Sequence, residues 1–241
     1  MRFKVTISYD GTQFYGSQKQ INQKTVVGEL ISALKRLNIS ETPIMSGRTD
    51  RGVHATGQVF HIDIPKYWKV DNFFYAFKRV IPKTISIKYI DEVDNSFHSR
   101  FSAKRRIYRY IFSTSSTNPF EEKFISFIDK KSFDFSKIEN NISIFQGLYN
   151  FQNFRKLGSN NSSDVREIFK TQAYQFKKYY ILKFEANSFL RSQVRLMVGS
   201  LLSLGYGNLE LSDIQNLLKM DNLSLPKIAP PNGLYLTKII Y

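Results

Sequence analysis

The chain has 241 residues, no cysteine and a formal net charge of +15, from 35 Lys and Arg against 20 Asp and Glu. The missing thiols exclude disulfides, thiolate nucleophiles and Cys-ligated zinc, and a hydrophobic fraction of 42% is typical of a folded chain. The positive charge indicates a polyanionic partner, although a coding bias toward lysine would produce the same excess.

No segment has the pattern of a signal peptide or a membrane span. Residues 1–10 alternate polar and apolar side chains, as a strand does. The longest weakly polar stretch, 196–209, contains three glycines and two serines and is shorter than the roughly 20 apolar residues that a span needs. We therefore expect a cytoplasmic protein with no membrane partner.

The first half of the chain mixes strand and helix patterns. Apolar periodicity predicts, in order, a strand at 3–9, a helix that begins after Thr25, strands at 43–45 and 58–64, a helix that stops at Pro82 and a strand at 85–89. This order is typical of an α+β or mixed-sheet domain.

The second half repeats that mixture. The predicted elements are a strand at 107–112, a loop at 113–133, a helix at 138–145, a flexible excursion at 150–164, paired strands at 166–176 and 179–186, a long helix through 189–202, a short helix at 212–219 and a strand at 234–241. We expect Arg191 and Arg195 on one face of the long helix, because they are four residues apart.

A polar loop between two predicted strands contains the candidate catalytic residue, Asp50. Arg48 and Arg51 on either side of this carboxylate favour its ionised form, which a nucleophile or base requires. Gly47 and Gly52 let a bulky substrate approach the backbone. An Asx-turn residue that only satisfies backbone donors would have the same sequence pattern.

Two further regions contain candidate binding residues. Basic and aromatic residues are interleaved in 100–110, where guanidinium groups are suited to contact phosphates and rings, including Tyr108 and Tyr110, to stack on unpaired bases, although a solvated charged face is the alternative. Arg195 lies against the apolar stripe of the long helix, which favours a carboxylate or phosphate partner, unless its side chain extends to solvent. Motifs for nucleotide cofactors are absent, so no cofactor is expected.

Two other functions explain some of these features. A non-catalytic RNA-binding module would account for the charge and the aromatic residues without requiring Asp50. A metal-dependent nuclease would use Asp50, His54 and His61, but a metal site needs three or four converging ligands, and this spacing does not favour one.

Together these stretches resemble the TruA family of tRNA pseudouridine synthases. Residues 47–55 match the family's G-R-T-D-x-G-V-H-A signature. Other matches follow in order along nearly the whole chain: 9–18 with the family's opening, 97–110 with F-(H)-x-R-F-(S)-A…Y-x-Y, 187–199 with N-x-F-L…V-R…V-G, and 233–236 with G-L-Y-L.

The resemblance implies an enzyme that converts uridine to pseudouridine at positions 38 to 40 in the anticodon stem-loop of tRNA. It implies that Asp50 is the catalytic nucleophile, Tyr108 stacks on the target base, Arg195 pairs with the catalytic carboxylate and Arg48 contacts the substrate. It also implies a homodimer. The implied fold is a mixed, mostly antiparallel sheet flanked by helices, in two similar α/β halves at 1–105 and 106–241.

The chain departs from the family pattern at three places. Ser17 stands where the family usually has tryptophan, which affects the packing expected for that loop. Arg51 occupies a variable position that is often alanine, and residues 150–154 match the usual D-F-x-x-F only loosely. None of these departures changes Asp50, Tyr108 or Arg195.

Overall fold

A computed structural model describes residues 1–115, 118–158, 162–219 and 227–241. Within them the strands are β1 Arg2–Tyr9, β2 Ile44–Met45, β3 His54–Asp63, β4 Ile85–Val93, β5 Arg105–Ser113, β6 Ser126–Phe127, β7 Gly147–Asn150, β8 Val165–Phe176, β9 Tyr179–Ala186 and β10 Leu234–Ile240. The α-helices are α1 Val26–Lys35, α2 Val70–Val80, α3 Phe135–Asn141, α4 Gln193–Gly205 and α5 Leu211–Leu218. The predicted α+β fold with mixed, mostly antiparallel strand pairing is confirmed.

The chain forms two compact units. Unit 1 contains Met1–Lys104 and Tyr235–Tyr241, and unit 2 contains Arg105–Leu234. The division predicted from the sequence, 1–105 and 106–241, assigns the last strand to the second half, whereas most of β10 belongs to unit 1. The reason is that β10 pairs in parallel with β3, through Tyr235 opposite His54.

The sheet of unit 1 is arranged around β1. This strand pairs antiparallel with both β3 and β4, and β2 pairs antiparallel with β3. Alternate β1 residues Phe3, Val5 and Ile7 are fully buried, as the predicted period of two requires. Phe73 of α2 packs on Phe3 with ring centroids 5.5 Å apart, so this helix covers the apolar face of β1.

Local sequence explains where the two helices of unit 1 begin and end. Thr25 caps α1, because its hydroxyl accepts a hydrogen bond from the Gly28 N–H at 3.2 Å. Helix α2 ends at Val80, one residue before Ile81, which is extended and precedes Pro82. Both helices were predicted.

Unit 2 contains an antiparallel series of strands in the order β5, β9, β8 and β7, with β6 parallel to β5. The predicted hairpin of β8 and β9 is confirmed, and Lys177 in its turn has a φ of 54°. Helix α4 is buried along most of its length, including Met197 and Leu201 at 0% exposure. This burial explains why apolar residues occur on most sides of α4.

Several details of unit 2 differ from the predictions. Helix α4 begins only at Gln193, because Ser192 adopts a left-handed conformation with a φ of 60°, so residues 189–192 precede it. Residues 142–145 continue α3 as a 3-10 helix. In the excursion predicted at 150–164, Phe151 and Phe154 are fully buried around a short 3-10 helix, and its residues 159–161 lie outside the described chain.

Among the residues that the structure describes, no helix combines the length and the apolar character that crossing a membrane requires.

Candidate active site

Asp50 lies in a polar connection of unit 1, residues 46–53, which joins β2 to β3 and which we call the Asp50 loop. Thr49 is buried, Asp50 is half-buried and Arg48 is exposed. Strands at both ends hold this short connection, and Asp50 remains partly accessible to solvent. A carboxylate displayed on a loop of rigid scaffold is well suited to act on a bound substrate.

Residues remote in sequence hold the main chain beside Asp50. The Ser17 Oγ accepts a hydrogen bond from the Thr49 N–H at 2.9 Å, and the Ser17 N–H donates to the Thr49 carbonyl at 3.1 Å. The Tyr9 hydroxyl lies 2.9 Å from the Thr49 hydroxyl. Burial raises the pKa of Tyr9 to about 12, so the phenol stays neutral. The N–H, carbonyl and hydroxyl of Thr49 are therefore all bonded.

Glycines allow the close approach that these hydrogen bonds need. Gly16 has a φ of 99°, and a Cβ at this position would lie 2.9 Å from the Thr49 carbonyl oxygen. Gly52 has a φ of 79°, and the Val53 N–H donates to the Asp50 carbonyl at 3.1 Å, closing a turn after the carboxylate.

Buried polar side chains also fix the two ends of the Asp50 loop. At its start, Gln58 Nε2 donates to the Gly47 carbonyl at 3.0 Å, and Ser46 Oγ donates to Gln58 Oε1 at 2.8 Å. At its end, His54 Nδ1 accepts a hydrogen bond from the Gly11 N–H at 3.0 Å, and the imidazole stacks on the Tyr235 ring with centroids 4.8 Å apart. His54 thus anchors the loop through its ring.

The sequence alone indicated no site role for Tyr9, and Ser17 stood out only as a departure from a family pattern. Their contacts with Thr49 span 40 and 32 residues, respectively. The signal available in the sequence was the match of 9–18 to the family's opening, which indicated that the segment matters but not which atoms it contacts.

The two arginines beside Asp50 differ in their surroundings. Arg51 lies over the Tyr15 ring, with its guanidinium carbon 4.2 Å from the ring centroid, within the range of a cation–π contact. Arg48 is exposed. Both residues place positive charge beside Asp50, because Arg48 lies two residues before it and Arg51 directly after it.

A second polar turn of unit 1, residues 97–102, is called the His98 turn. His98 Nδ1 accepts hydrogen bonds from the Arg100 and Phe101 N–H groups at 3.2 and 3.3 Å. Ser99 is fully buried, and its N–H donates to His61 Nδ1 at 3.1 Å. Burial, with smaller contributions from the nearby Arg2 and His98, lowers the pKa of His61 to about 4. His61 is therefore neutral at physiological pH.

Tyr108 belongs to β5 of unit 2, opposite Phe184 of β9. Its side chain is 9% exposed and packs edge-to-face on Phe189, with ring centroids 5.2 Å apart. The strand predicted at 107–112 is confirmed as part of β5.

Arg195 lies in the first turn of α4, also in unit 2, and is half-buried. Its Nε donates to the Ala229 carbonyl at 2.8 Å, and the Ala229 N–H donates to the Arg195 carbonyl at 3.1 Å. Gly199 permits this approach, because a Cβ there would lie 2.1 Å from the Lys227 carbonyl oxygen. The main chain of Ala229 thus holds the Arg195 guanidinium in place.

The prediction that Arg191 and Arg195 lie on one face of the long helix is wrong. Arg191 precedes α4, which begins at Gln193, so the four-residue spacing does not run along a helix. Arg191 is exposed and its Nη1 donates to the Leu157 carbonyl at 3.1 Å.

A metal centre of Asp50, His54 and His61 receives no support from unit 1. The Nδ1 atoms of both histidines accept hydrogen bonds from main-chain N–H groups, of Gly11 and Ser99. Across the described parts of the chain, no group of three or more His, Asp or Glu side chains is arranged to hold a metal ion.

Comparison with known proteins identifies relatives of the whole chain. A family model described as tRNA pseudouridine synthase matches residues 142–241. Curated proteins named tRNA pseudouridine synthase A are similar over the full length: 38% identical in Campylobacter jejuni strain RM1221, covering 100% of both chains, and 36% in Limosilactobacillus reuteri strain DSM 20016, covering 100% of this chain and 96% of the relative. The protein of that name in Wolinella succinogenes is 34% identical, over 98% of this chain and 92% of its own.

Among solved structures, a chain from a crystal structure of a Cbf5–Nop10–Gar1 complex is similar with a TM-score of 0.37 and 12% identity, over 83% of this chain and 45% of that one. A similarity of this size adds nothing to the assignment. The full-length relatives favour an enzyme over the non-catalytic RNA-binding module. The chain belongs to the tRNA pseudouridine synthase A (TruA) family, isomerases that convert uridine to pseudouridine.

Proposed function

We propose that this chain converts uridine to pseudouridine at positions 38, 39 and 40 in the anticodon stem-loop of tRNA, with Asp50 as the catalytic carboxylate. Isomerisation of tRNA uridine follows from the family, and the position in the tRNA and the residue roles are inferred. The main support is the Asp50 loop, which contains the family signature. Buried hydrogen bonds fix the main chain of this loop, while Asp50 stays partly accessible to solvent.

The proposed reaction exchanges one bond for another within a single nucleotide. The bond from C1′ to N1 breaks and a bond from C1′ to C5 forms, while the C5 proton passes to water and N1 gains a proton. An ionised carboxylate assists either by attacking C1′ or by promoting loss of the C2′ proton to give a glycal. Deuterium at C2′ slows only the second route, which separates the two.

The reaction neither oxidises nor reduces the substrate and transfers no phosphoryl group, so we propose that it needs no cofactor. The carboxylate and the residues that bind and orient the base are sufficient in principle for such an exchange. The net charge of +15 favours an RNA substrate, because guanidinium and ammonium groups neutralise backbone phosphates.

We propose supporting roles for three other residues. Tyr108 stacks on the target base after that base leaves the helical stack, Arg195 pairs with the Asp50 carboxylate, and Arg48 contacts the substrate RNA. Base extrusion costs a few kcal/mol, which a replacement stack on an aromatic ring offsets. Because only 9% of Tyr108 is exposed, RNA binding has to uncover more of its ring.

These roles predict different kinetic defects. Tyr108→Ala and Arg195→Gln should lower kcat by about 10²-fold or more and change tRNA affinity little, because both residues act at the reacting base or carboxylate. Arg48→Gln should weaken tRNA binding and reduce its salt dependence by about one phosphate contact. Filter binding at two salt concentrations and turnover assays measure these defects. A change of affinity alone in Tyr108→Ala would contradict a role of Tyr108 at the reacting centre.

We also propose that the protein acts as a homodimer in the cytoplasm, where its tRNA substrate is found. The family supports the dimer, and sedimentation at micromolar concentration tests it. A monomer at the concentration used for the activity assay would contradict the dimer without affecting the assignment of Asp50.

The experiment that tests the position uses tRNA transcripts in which a single uridine, at 38, 39 or 40, carries tritium at C5. Tritium should pass to water from each of the three transcripts and not from a matched transcript labelled only in the acceptor stem. Release from the acceptor-stem transcript alone would contradict the proposed position while leaving the isomerase activity intact.

A further inference from the structure

We propose that Ser17 is a positioning residue for Asp50, and that its hydroxyl fixes the catalytic carboxylate in the geometry that the chemical step requires. This inference rests on the proposed function of Asp50. Ser17 does not reach the substrate in this account. It acts through Thr49, the residue that precedes Asp50.

The contact between Ser17 and Thr49 is a pair of hydrogen bonds at a buried site. One uses the side chain of Ser17, which accepts from the Thr49 N–H at 2.9 Å, and the other uses its main chain, which donates to the Thr49 carbonyl at 3.1 Å. Ser17 is 1% exposed and Thr49 is 7% exposed, so water cannot readily replace a lost partner. Two hydrogen bonds to one residue define both the position and the tilt of its peptide units.

Ser17 is itself held by a regular element. The Ser17 carbonyl accepts a hydrogen bond from the Val27 N–H at 3.0 Å, and the Gly16 carbonyl accepts from the Val26 N–H at 3.3 Å. These donors belong to the first turn of α1, whose N–H groups have no partner within the helix. A continuous series of hydrogen bonds therefore runs from α1 through Ser17 to Thr49.

The hydroxyl is the part of the Ser17 side chain that this contact needs. A side chain with no oxygen or nitrogen acceptor at position 17 could not accept the hydrogen bond that the Thr49 N–H donates to Ser17 Oγ.

Removing the hydroxyl should affect the chemical step more than binding. In Ser17→Ala the main-chain hydrogen bond can remain, while the Thr49 N–H loses its acceptor and the peptide beside Asp50 shifts. A shift of a fraction of an ångström at a reacting group lowers kcat by about 10- to 100-fold. The tRNA affinity should stay within about twofold, because a residue with 1% exposure does not touch RNA.

The test compares Ser17→Ala, Ser17→Thr and a matched control, Ser113→Ala. Ser113 is fully buried in unit 2 and its Oγ accepts from the Ser115 N–H at 3.2 Å, so its loss also removes an acceptor for a main-chain N–H. Single-turnover tritium release, tRNA affinity and circular dichroism are measured for each variant at a temperature where all of them are folded. Asp50→Asn is assayed beside them.

The expected result is a rate reduced by about 10- to 100-fold in Ser17→Ala with unchanged affinity, recovery of most of the rate in Ser17→Thr, and a wild-type rate in Ser113→Ala. A wild-type rate in Ser17→Ala, or an equal loss in Ser113→Ala, overturns the inference. If Asp50→Asn is inactive in the same assays, the proposed function stands when the inference fails. If Asp50→Asn releases tritium at the wild-type rate, the proposed function itself is wrong.

Discussion

The Asp50 loop and the His98 turn of unit 1 are both short polar segments that resemble family motifs, yet they differ in which group they leave accessible. In the Asp50 loop, the supporting hydrogen bonds come from residues outside it, including Ser17 and Gln58, and Asp50 remains half-buried. In the His98 turn, polar groups bond within the turn and also to residues outside it, including His61, Ile44 and Tyr241, and no carboxylate is among them.

This difference matches the proposed role of Asp50 as the catalytic residue. The exposed residues of the His98 turn are Arg100 and Phe101, the latter at 76% exposure. An arginine and an aromatic ring can contact RNA, but neither can act as a nucleophile or base at neutral pH. A motif match alone does not distinguish these roles, whereas the chemistry of the side chain left accessible does.

The largest effect on the Asp50 loop is expected from Gly11→Ala. A Cβ at Gly11 would lie 2.1 Å from the Val53 carbonyl oxygen, which is backbone and cannot move without displacing the loop. The free energy of unfolding should fall by about 2–3 kcal/mol, as in other overpacked sites.

The matched control for this variant is Gly47→Ala, within the Asp50 loop itself, where a Cβ would meet no atom within 4 Å. Its free energy of unfolding should change by less than about 0.5 kcal/mol. Urea unfolding of the two variants measures the difference, and an equal loss in both would show that the close approach of Gly11 does not support the loop.

A smaller effect is expected from pH, through His61 of β3, which accepts a hydrogen bond from the His98 turn. His61 has a pKa of about 4 in the folded protein against an ordinary value of 6.5, so the unfolded chain binds more protons between these values. The stabilising contribution is complete above about pH 6.5 and is lost as the pH falls toward 4. Between pH 7 and pH 5 the protein should lose about 2 kcal/mol through this group.

The variant that isolates this group is His61→Asn, which keeps an acceptor near the position of Nδ1 and does not titrate. Both proteins contain His54 and His98, so the difference between the two pH dependences belongs to His61. Urea unfolding at pH 7 and pH 5 measures that difference. Identical pH dependences would assign the neutral, buried state of His61 no role in stability.

Hydrophobic periodicity predicted the elements that bury one face. Strand β1, the hairpin of β8 and β9, and the helices α1, α2 and α5 were all predicted from alternating or helix-periodic residues. Strand β7 was missed, because Leu148 and Tyr149 are both exposed and leave no alternation in the sequence. The start of α4 was misplaced because Phe189 and Leu190 continue its apolar period, while the left-handed Ser192 interrupts the helix.

The candidate site was predictable as a list of residues but not as a geometry. The family signature identified Asp50, and its glycines indicated a turn. The support of the loop depends on Tyr9 and Ser17, which lie 40 and 32 residues away from their partner. Contacts at such separations are set by how β1 and the segment after it pack on the loop, and no local pattern encodes them. The same reason explains why the contact of Arg195 with Ala229 was not foreseen.

The central claim is that the Asp50 carboxylate is required for the reaction, and tritium release from tRNA labelled at uridine C5 tests it most directly. The account predicts release by the wild-type protein and by the control Asp91→Asn, whose carboxylate lies on β4 and pairs with Lys4 at 3.0 Å. It predicts no release by Asp50→Asn, although this variant binds tRNA at least as tightly as the wild type. Release by Asp50→Asn at the wild-type rate would contradict it.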